Sequence, residues 1–163
     1  MSKVVYPAMD QLLPHRAPMI LIDQLIDTNG QETVCEVTIA AHAPFAGPAG
    51  VPAFVGIEYM AQSVAAHGGY QSYQAGEPIT VGLLLGTRRL DTYCQFFALG
   101  QKLRIHVAHT WGQYELMRFS CKIFDAETAQ LLQQAELNVF KPNVLQAYLE
   151  EARYDNPRSG HRQ

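Results

Sequence analysis

The longest apolar stretch of the chain runs from Pro52 to Gly69 and contains a single formal charge, that of Glu58. The stretch opens with proline, which suits the first turn of a helix, and closes with the pair Gly68-Gly69, which favours a helix end. A helix that is apolar on nearly every side belongs in a core. The pattern therefore predicts a buried helix over residues 52–69.

Alternating apolar and polar residues predict strands on both sides of this helix. One strand, 33–41, follows the turn Asn29-Gly30, and four more follow the helix at 79–90, 102–111, 114–125 and 131–140. In 114–125 the alternation is clearest, with Met117, Phe119, Cys121 and Ile123 on one face. The connections at 111–113 and 125–128 are short enough for hairpins, so an antiparallel meander is predicted.

An antiparallel sheet with one long apolar helix must carry that helix on its dry face. This predicts an α+β fold with a single domain over 1–163, a core of about 12–140, and a tail, 141–163, that is partly helical and then frayed. The helix is too apolar for one sheet to bury every side, which predicts a second subunit in a homodimer.

Composition narrows the class of protein. The 163 residues are 48% hydrophobic and 17% charged, with a net charge of -3 and no basic cluster, which argues against a nucleic-acid partner. The three cysteines are too widely spaced for a disulfide framework or a metal site, so a reduced, cytoplasmic protein is expected. Neither a targeting segment nor a membrane span is predicted.

Glu58 is the main candidate for chemistry. A carboxylate in an apolar helix costs several kcal/mol unless it is paired, hydrogen-bonded or protonated, so its presence calls for a function. The alternative is a structural acid that bonds to the backbone of a partner subunit. Gln62, four residues later on the same helix face, is placed to orient the carboxyl group. No metal or organic cofactor is expected.

Histidines supply the candidate bases. His42 lies in a loop rich in glycine and proline before the helix, and it is either a base or an ordinary exposed histidine. His15 is expected to fix an N-terminal turn through side-chain hydrogen bonds, and His67 to interact with the C-terminal end of the helix dipole. His106 and His109 point to opposite faces of a strand, which argues against a metal pair.

Three motifs resemble one known family. LLPHRAP at 12–18, EYMAQ at 58–62 and GQKL at 100–103 are similar to the Leu-Pro-His-Arg-x-Pro, Glu-x-Met-Ala-Gln and Gly-Asp-x-Leu motifs of the hot-dog 3-hydroxyacyl-(acyl carrier protein) dehydratases. The likeness extends from about residue 12 to residue 140. It is nearest to a divergent branch associated with aryl-polyene and related polyketide gene clusters.

The resemblance implies a hot-dog fold, in which the sheet wraps around the central helix. It implies a dehydratase that converts a 3-hydroxyacyl thioester on an acyl carrier protein into the trans-2-enoyl thioester, and a homodimer or a heterodimer with a related dehydratase. His42 would be the base and Glu58 the acid, contributed by different subunits. The backbone N–H groups near Ala53 and Phe54 would bind the thioester oxygen.

The chain also departs from the family pattern. His42 stands ten residues before Pro52, where the family has eight, and Ala53 replaces the glycine that normally follows this proline. Two other functions therefore stay open. One is a hot-dog acyl thioesterase, whose helix carboxylate activates water. The other is a catalytically silent partner that binds an acyl chain or pairs with an active homologue, which the shifted histidine favours.

Overall fold

A computed structural model describes residues 3–113 and 115–142. It contains a short helix α1 (Met9–Leu12) and a long helix α2 (Gly56–Ala75), which a 3-10 turn (Ala53–Val55) precedes. The strands are β1 (Gln24–Thr28), β2 (Glu32–Thr38), β3 (Val51–Pro52), β4 (Leu83–Gly86), β5 (Leu90–Thr92), β6 (Phe96–Phe97), β7 (Lys102–Trp111), β8 (Leu116–Asp125) and β9 (Leu131–Phe140).

Seven strands form one antiparallel sheet in the order β1-β2-β7-β8-β9-β4, with β5 also paired to β9. Strands β7, β8 and β9 are joined by short connections, so the predicted meander is confirmed. The predicted inner face of β8 is also correct, because Phe119, Cys121 and Ile123 are buried while Arg118 and Lys122 are exposed. β3 and β6 form a separate two-stranded ribbon.

Helix α2 lies across the inner face of the sheet, and together they form the hydrophobic core. Met60 of the helix and Leu103, Ile105 and Leu137 of the sheet are fully buried. Burial of each such side chain contributes about 1.5–3 kcal/mol. Helix α1 packs against the side of α2 that does not face the sheet, with Leu12 next to Gly69. Among the described residues, no helix combines the length and the hydrophobicity needed to cross a bilayer.

The long helix ends later than predicted. It continues through Gly68-Gly69 to Ala75 and stops at Gly76, whose φ of 68° is left-handed. The N–H of Glu77 then bonds to the carbonyl of Ser72 at 2.9 Å, as in a Schellman motif. Glycine inside a helix costs only about 1 kcal/mol relative to alanine, so packing can override it. A Cβ at Gly69 would collide with the backbone carbonyl of Leu12, so this glycine lets α1 approach.

The predicted strand 79–90 is wrong in extent. It is divided into β4 and β5, because Gly86 takes a φ of 120° and the pairing to β9 shifts register there. Strand β1 and helix α1 were not predicted, since five and four residues are too short for a clear periodic pattern. The predicted start of a strand at Tyr114 and the tail from residue 143 lie outside the described residues.

Candidate active site

Glu58 lies in the first turn of α2, and its carboxylate reaches the wall of a cavity. Its side chain is 36% exposed in the single chain, so the expectation of a fully buried acid is wrong for this chain alone. The reason is geometric: the sheet covers only one side of α2, and the opposite side of the first turn carries the carboxylate. Glu58 is therefore accessible to a ligand that enters the cavity.

Gln62 fixes the position of this carboxylate, as its spacing predicted. Its Nε2 donates to Oε1 of Glu58 at 3.1 Å and to the carbonyl of Met19 at 2.8 Å, while its Oε1 accepts the N–H of Leu21 at 2.9 Å. Both N–H groups and the amide oxygen are thus used, and the side chain is fully buried. The two backbone partners define which end of the amide is nitrogen. The amide therefore always presents a donor to Glu58.

His15 is the histidine that the structure brings to Glu58. Its Nε2 lies 3.6 Å from Oε1 of Glu58, and its Nδ1 is buried with no hydrogen-bond partner in the described part of the chain. The expectation that the His15 side chain fixes the local turn is therefore wrong. The turn is held instead by Arg16, whose guanidinium donates to the carbonyls of Pro14 and His15. Since the side chains of Glu58 and His15 are both about one-third exposed, their contact contributes at most about 1 kcal/mol to stability.

A cavity of about 650 Å³ extends from these two side chains along α2. Its helix wall includes the small residues Ala61, Ala65 and Gly68, and its sheet wall includes Met117 and Val139. A volume of this size suits an organic ligand. The arrangement combines a carboxyl group, an imidazole and a mostly apolar cavity, which suits acid-base chemistry at one end of an acyl chain.

The other predicted site residues are placed differently. His42 is exposed in the turn after β2, and within the described residues it makes no contact with Glu58. The N–H of Ala53 is not free, because it donates to the carbonyl of Gln95 at 3.0 Å. The prediction that Ala53 donates to the thioester oxygen is therefore wrong. Phe54 is in the first turn, where a backbone N–H has no acceptor within the helix. Its ring is 70% exposed.

The remaining histidines are separated as predicted. His106 packs against Phe124 on the outer face of β7, whereas His109 packs against Phe119 on the inner face. His67 bonds to Thr33 through Nδ1 rather than acting at the helix end, which lies at Ala75. Within residues 3–113 and 115–142, no three His, Cys, Asp or Glu side chains are grouped to hold a metal ion.

The fold and the position of Glu58 define the structural class of this protein. A long helix carrying a carboxylate against an antiparallel sheet is the hot-dog fold, and several solved structures share this fold. A hypothetical thioesterase protein of Streptococcus pneumoniae TIGR4, solved with coenzyme A, matches 73% of this chain and 84% of its own with a TM-score of 0.57 and 10% identity. The Escherichia coli PaaI protein matches 72% and 81% with the same TM-score and 10% identity. At such identities only the fold is shared.

A family model identifies the chain more narrowly. Residues 7–150 match the model of the ApeP-like family, described as ApeP dehydratase, and the chain belongs to this family. The dehydratase heterocomplex ApeI:P of Xenorhabdus doucetiae has a chain that matches 90% of this one and 98% of its own, with 27% identity and a TM-score of 0.81. No curated protein sequence matches significantly. The predicted hot-dog fold and dehydratase class are confirmed.

Proposed function

We propose that this dehydratase removes water from a 3-hydroxyacyl thioester carried by an acyl carrier protein, with Glu58 as the proton donor. The observation that carries the proposal is the Glu58 carboxyl group, held by Gln62 on the wall of a mostly apolar cavity. A base removes a proton from C2, the C2=C3 double bond forms, and the C3 hydroxyl leaves as water with the proton from Glu58. Gln62 is a positioning residue in this scheme.

The base is an imidazole, and two histidines compete for this role. His42 remains the prediction from the family motif, and it would act on a substrate bound against Glu58 of another subunit. His15 is favoured by its distance of 3.6 Å from Glu58. However, this separation leaves no room for C2 and C3 between the two groups, so His15 must act beside the substrate. The N–H of Phe54 is the remaining candidate donor to the thioester oxygen.

A second subunit completes the site. Exposed apolar side chains cluster where the β3–β6 ribbon meets the start of α2: Phe54 is 70% exposed and Phe96, beside Pro52, is 44% exposed. Strand β4 is the last in the sheet order, and Leu85 on it is 59% exposed. An open edge with exposed apolar residues suits a partner subunit.

The partner is a second copy of this chain or a related dehydratase. Support for the latter comes from the relative whose structure is a dehydratase heterocomplex. The cavity mouth accepts the thioester arm of the carrier protein. The unpaired Cys35, Cys94 and Cys121 are consistent with a cytoplasmic location.

The Glu58→Gln variant tests the acid. The amide keeps the shape and the ability to hydrogen-bond but cannot deliver the proton, so the rate of water loss should fall by about 10²-fold or more. The assay follows the mass of a 3-hydroxyacyl carrier protein incubated with the purified enzyme and its partner subunit. Glu136→Gln is the matched control, because this glutamate is exposed on β9. Unchanged turnover in the Glu58 variant would contradict the assignment.

Separate His42→Ala and His15→Gln variants identify the base. If only the His42 variant loses activity, His42 is the base. If only the His15 variant loses activity, His15 is the base. If both variants keep full activity, then neither histidine is the base and a different partner subunit must supply it. Release of the free carboxylic acid from the carrier protein, without loss of water from the acyl chain, would instead support the thioesterase alternative.

A further inference from the structure

Gln133 is a fully buried amide on β9, beside the start of α2. Its Nε2 donates to the carbonyl of Ala53 at 2.8 Å and to the hydroxyl group of Thr92 at 3.0 Å, so both N–H groups are used. Its Oε1 is buried and has no hydrogen-bond partner in the part of the chain that the structure describes. Leaving a buried polar atom unpaired is costly, so the presence of this amide calls for a reason.

The carbonyl that Gln133 holds belongs to the same peptide group as the N–H of Phe54. This group is planar and trans, so its C=O and N–H point in opposite directions and turn together. The N–H of Gly56 also donates to the Ala53 carbonyl, which therefore accepts two hydrogen bonds. Hydrogen bonds at a carbonyl polarise its peptide group. The Gln133 amide thus affects both the direction of the Phe54 N–H and its strength as a donor.

The surroundings leave the Gln133 amide little freedom. A Cβ at Gly56 would collide with Oε1 of Gln133, so this glycine lets the amide lie against the helix. The same Cβ would lie 3.1 Å from the ring of Phe97, a side chain with no exposed surface. On the other side of the turn, the N–H of Ala53 bonds to the carbonyl of Gln95 at 3.0 Å. Contacts from two directions therefore hold the first turn in one orientation.

Phe54 stands at the surface of the chain. Its ring is 70% exposed, and among the described residues Phe54 is not part of the cavity wall that carries Glu58. A thioester oxygen that reaches the N–H of Phe54 is therefore one whose acyl chain lies against Glu58 of a second subunit. The direction of this N–H has to be set from inside its own chain, and Gln133 is the buried side chain that contacts the peptide group.

We propose that Gln133 is a positioning residue for the thioester oxygen: through the carbonyl of Ala53 it orients and polarises the N–H of Phe54. This inference rests on the proposed function, in which that N–H donates to the thioester. Negative charge grows on the oxygen as C2 loses its proton, so the hydrogen bond strengthens towards the transition state. Loss of the Gln133 donor should therefore lower kcat and leave KM nearly unchanged.

Gln133→Met keeps the length of the side chain and removes both N–H donors. The rate of water loss from a 3-hydroxyacyl carrier protein is measured with the partner subunit present. We expect kcat to fall by about tenfold, with KM changed by less than about twofold. Gln134→Met is the matched control, because this neighbouring amide lies on the opposite face of β9 and bonds to Asp91 and Tyr93. Its kcat should equal that of the wild type.

Gly56→Ala disturbs the same amide from the helix side. The new methyl group displaces the end of the Gln133 side chain, which is flexible enough to move without unfolding the chain. We expect kcat to fall by about the same factor as in Gln133→Met. The double variant should then lose no more activity than either single variant, because both act on one hydrogen bond. Losses that multiply would refute the proposed role of Gln133.

Two unreactive ligands make the result independent of catalysis. Both are carrier-protein thioester analogues with CH2 in place of sulfur and no 3-hydroxyl group; one keeps the carbonyl, and the other has CH2 in its place. Calorimetry with the wild type and its partner subunit should show about five- to tenfold tighter binding of the ligand with the carbonyl. Gln133→Met should abolish this preference and leave the affinity for the other ligand unchanged.

The outcomes separate this inference from the proposed function. If water loss fails with every substrate but the carbonyl preference depends on Gln133, the proposed function is wrong and the role of Gln133 is upheld. If water loss is normal and neither kcat nor the preference depends on Gln133, that role is refuted and the proposed function stands. An equal loss of affinity for both ligands also refutes it, because Gln133 then supports only the fold. Circular dichroism confirms folding, and Gly56→Ala carries the test if Gln133→Met unfolds.

Discussion

Gly68 and Gly69 are neighbours in the middle of α2, and replacing each by alanine should have opposite effects on stability. Both substitutions gain about 1 kcal/mol of helix propensity, because both positions are helical. At Gly68 the new methyl group meets no atom within 4 Å, so the full gain should remain. At Gly69 the methyl group collides with the carbonyl of Leu12, a residue with no exposed surface.

The difference between the two variants isolates the cost of that collision, because the propensity gain cancels. Overpacking typically costs about 1–3 kcal/mol, so Gly69→Ala should be less stable than Gly68→Ala by this amount. For a chain of this length, each kcal/mol corresponds to about 2–4 °C in Tm. Urea unfolding followed by circular dichroism, at one fixed protein concentration, measures both variants. Equal stability would refute the close packing of α1 on α2.

A larger side chain at position 68 tests whether the cavity holds the acyl chain. Gly68→Leu places its side chain in the space that the acyl chain would occupy. Long substrates should therefore lose kcat/KM by tenfold or more, whereas substrates too short to reach Gly68 should react as in the wild type. An equal loss for all lengths would show that the variant disturbs the chemistry itself and that the cavity does not hold the chain.

Three further predictions concern buried groups. Gln62→Leu leaves the buried N–H of Leu21 and the partly buried carbonyl of Met19 unpaired. Urea unfolding should therefore show that the free energy of unfolding falls by about 2–3 kcal/mol. A fall below about 1 kcal/mol would contradict the described bonds. Burial lowers the pKa of His67 in the folded chain, so on acidification the unfolded chain binds a proton at this imidazole at a higher pH than the folded chain does. Stability should therefore fall as the pH drops below about 6.5, and His67→Gln should flatten this slope; an unchanged slope would exclude His67 as its cause. Burial raises the pKa of Cys35 to about 12 and that of Cys121 further, so mass spectrometry after brief thiol labelling of the native protein should find Cys94 modified first. Early labelling of either buried thiol would indicate local opening.

The sheet could be predicted because its strands carry strong local patterns. Strands β7, β8 and β9 each have ten residues, long enough for the alternation to separate the buried face from the exposed one. Strand β4 has four residues and follows a glycine-containing segment, so its edges depend on pairing with β9 rather than on its own sequence. The late end of α2 was missed for a similar reason, since Gly69 serves a contact with residues far away in the chain.

The candidate site was predicted only in part. Glu58 and Gln62 are four residues apart on a helix, and helical geometry alone places them together. His15 is separated from Glu58 by more than forty residues, so no local pattern could show their contact. The available signal was that LLPHRAP and EYMAQ occur together, which indicates a shared site without giving its geometry. The bond from Ala53 to Gln95 likewise depends on a loop whose path the sequence does not reveal.

The way Gln62 is held has a consequence for how this site tolerates sequence drift. Its partners at positions 19 and 21 are main-chain atoms, which every residue type except proline at position 21 provides. The two hydrogen bonds to Gln62 therefore do not depend on the side-chain type at either position, although Leu21 is itself a buried core residue. Position 62 has no such freedom, because a glutamate there offers no N–H to either acceptor. The position of the Glu58 carboxylate thus depends on the amide side chain at position 62, whereas the bonds that anchor this amide are formed by main-chain atoms.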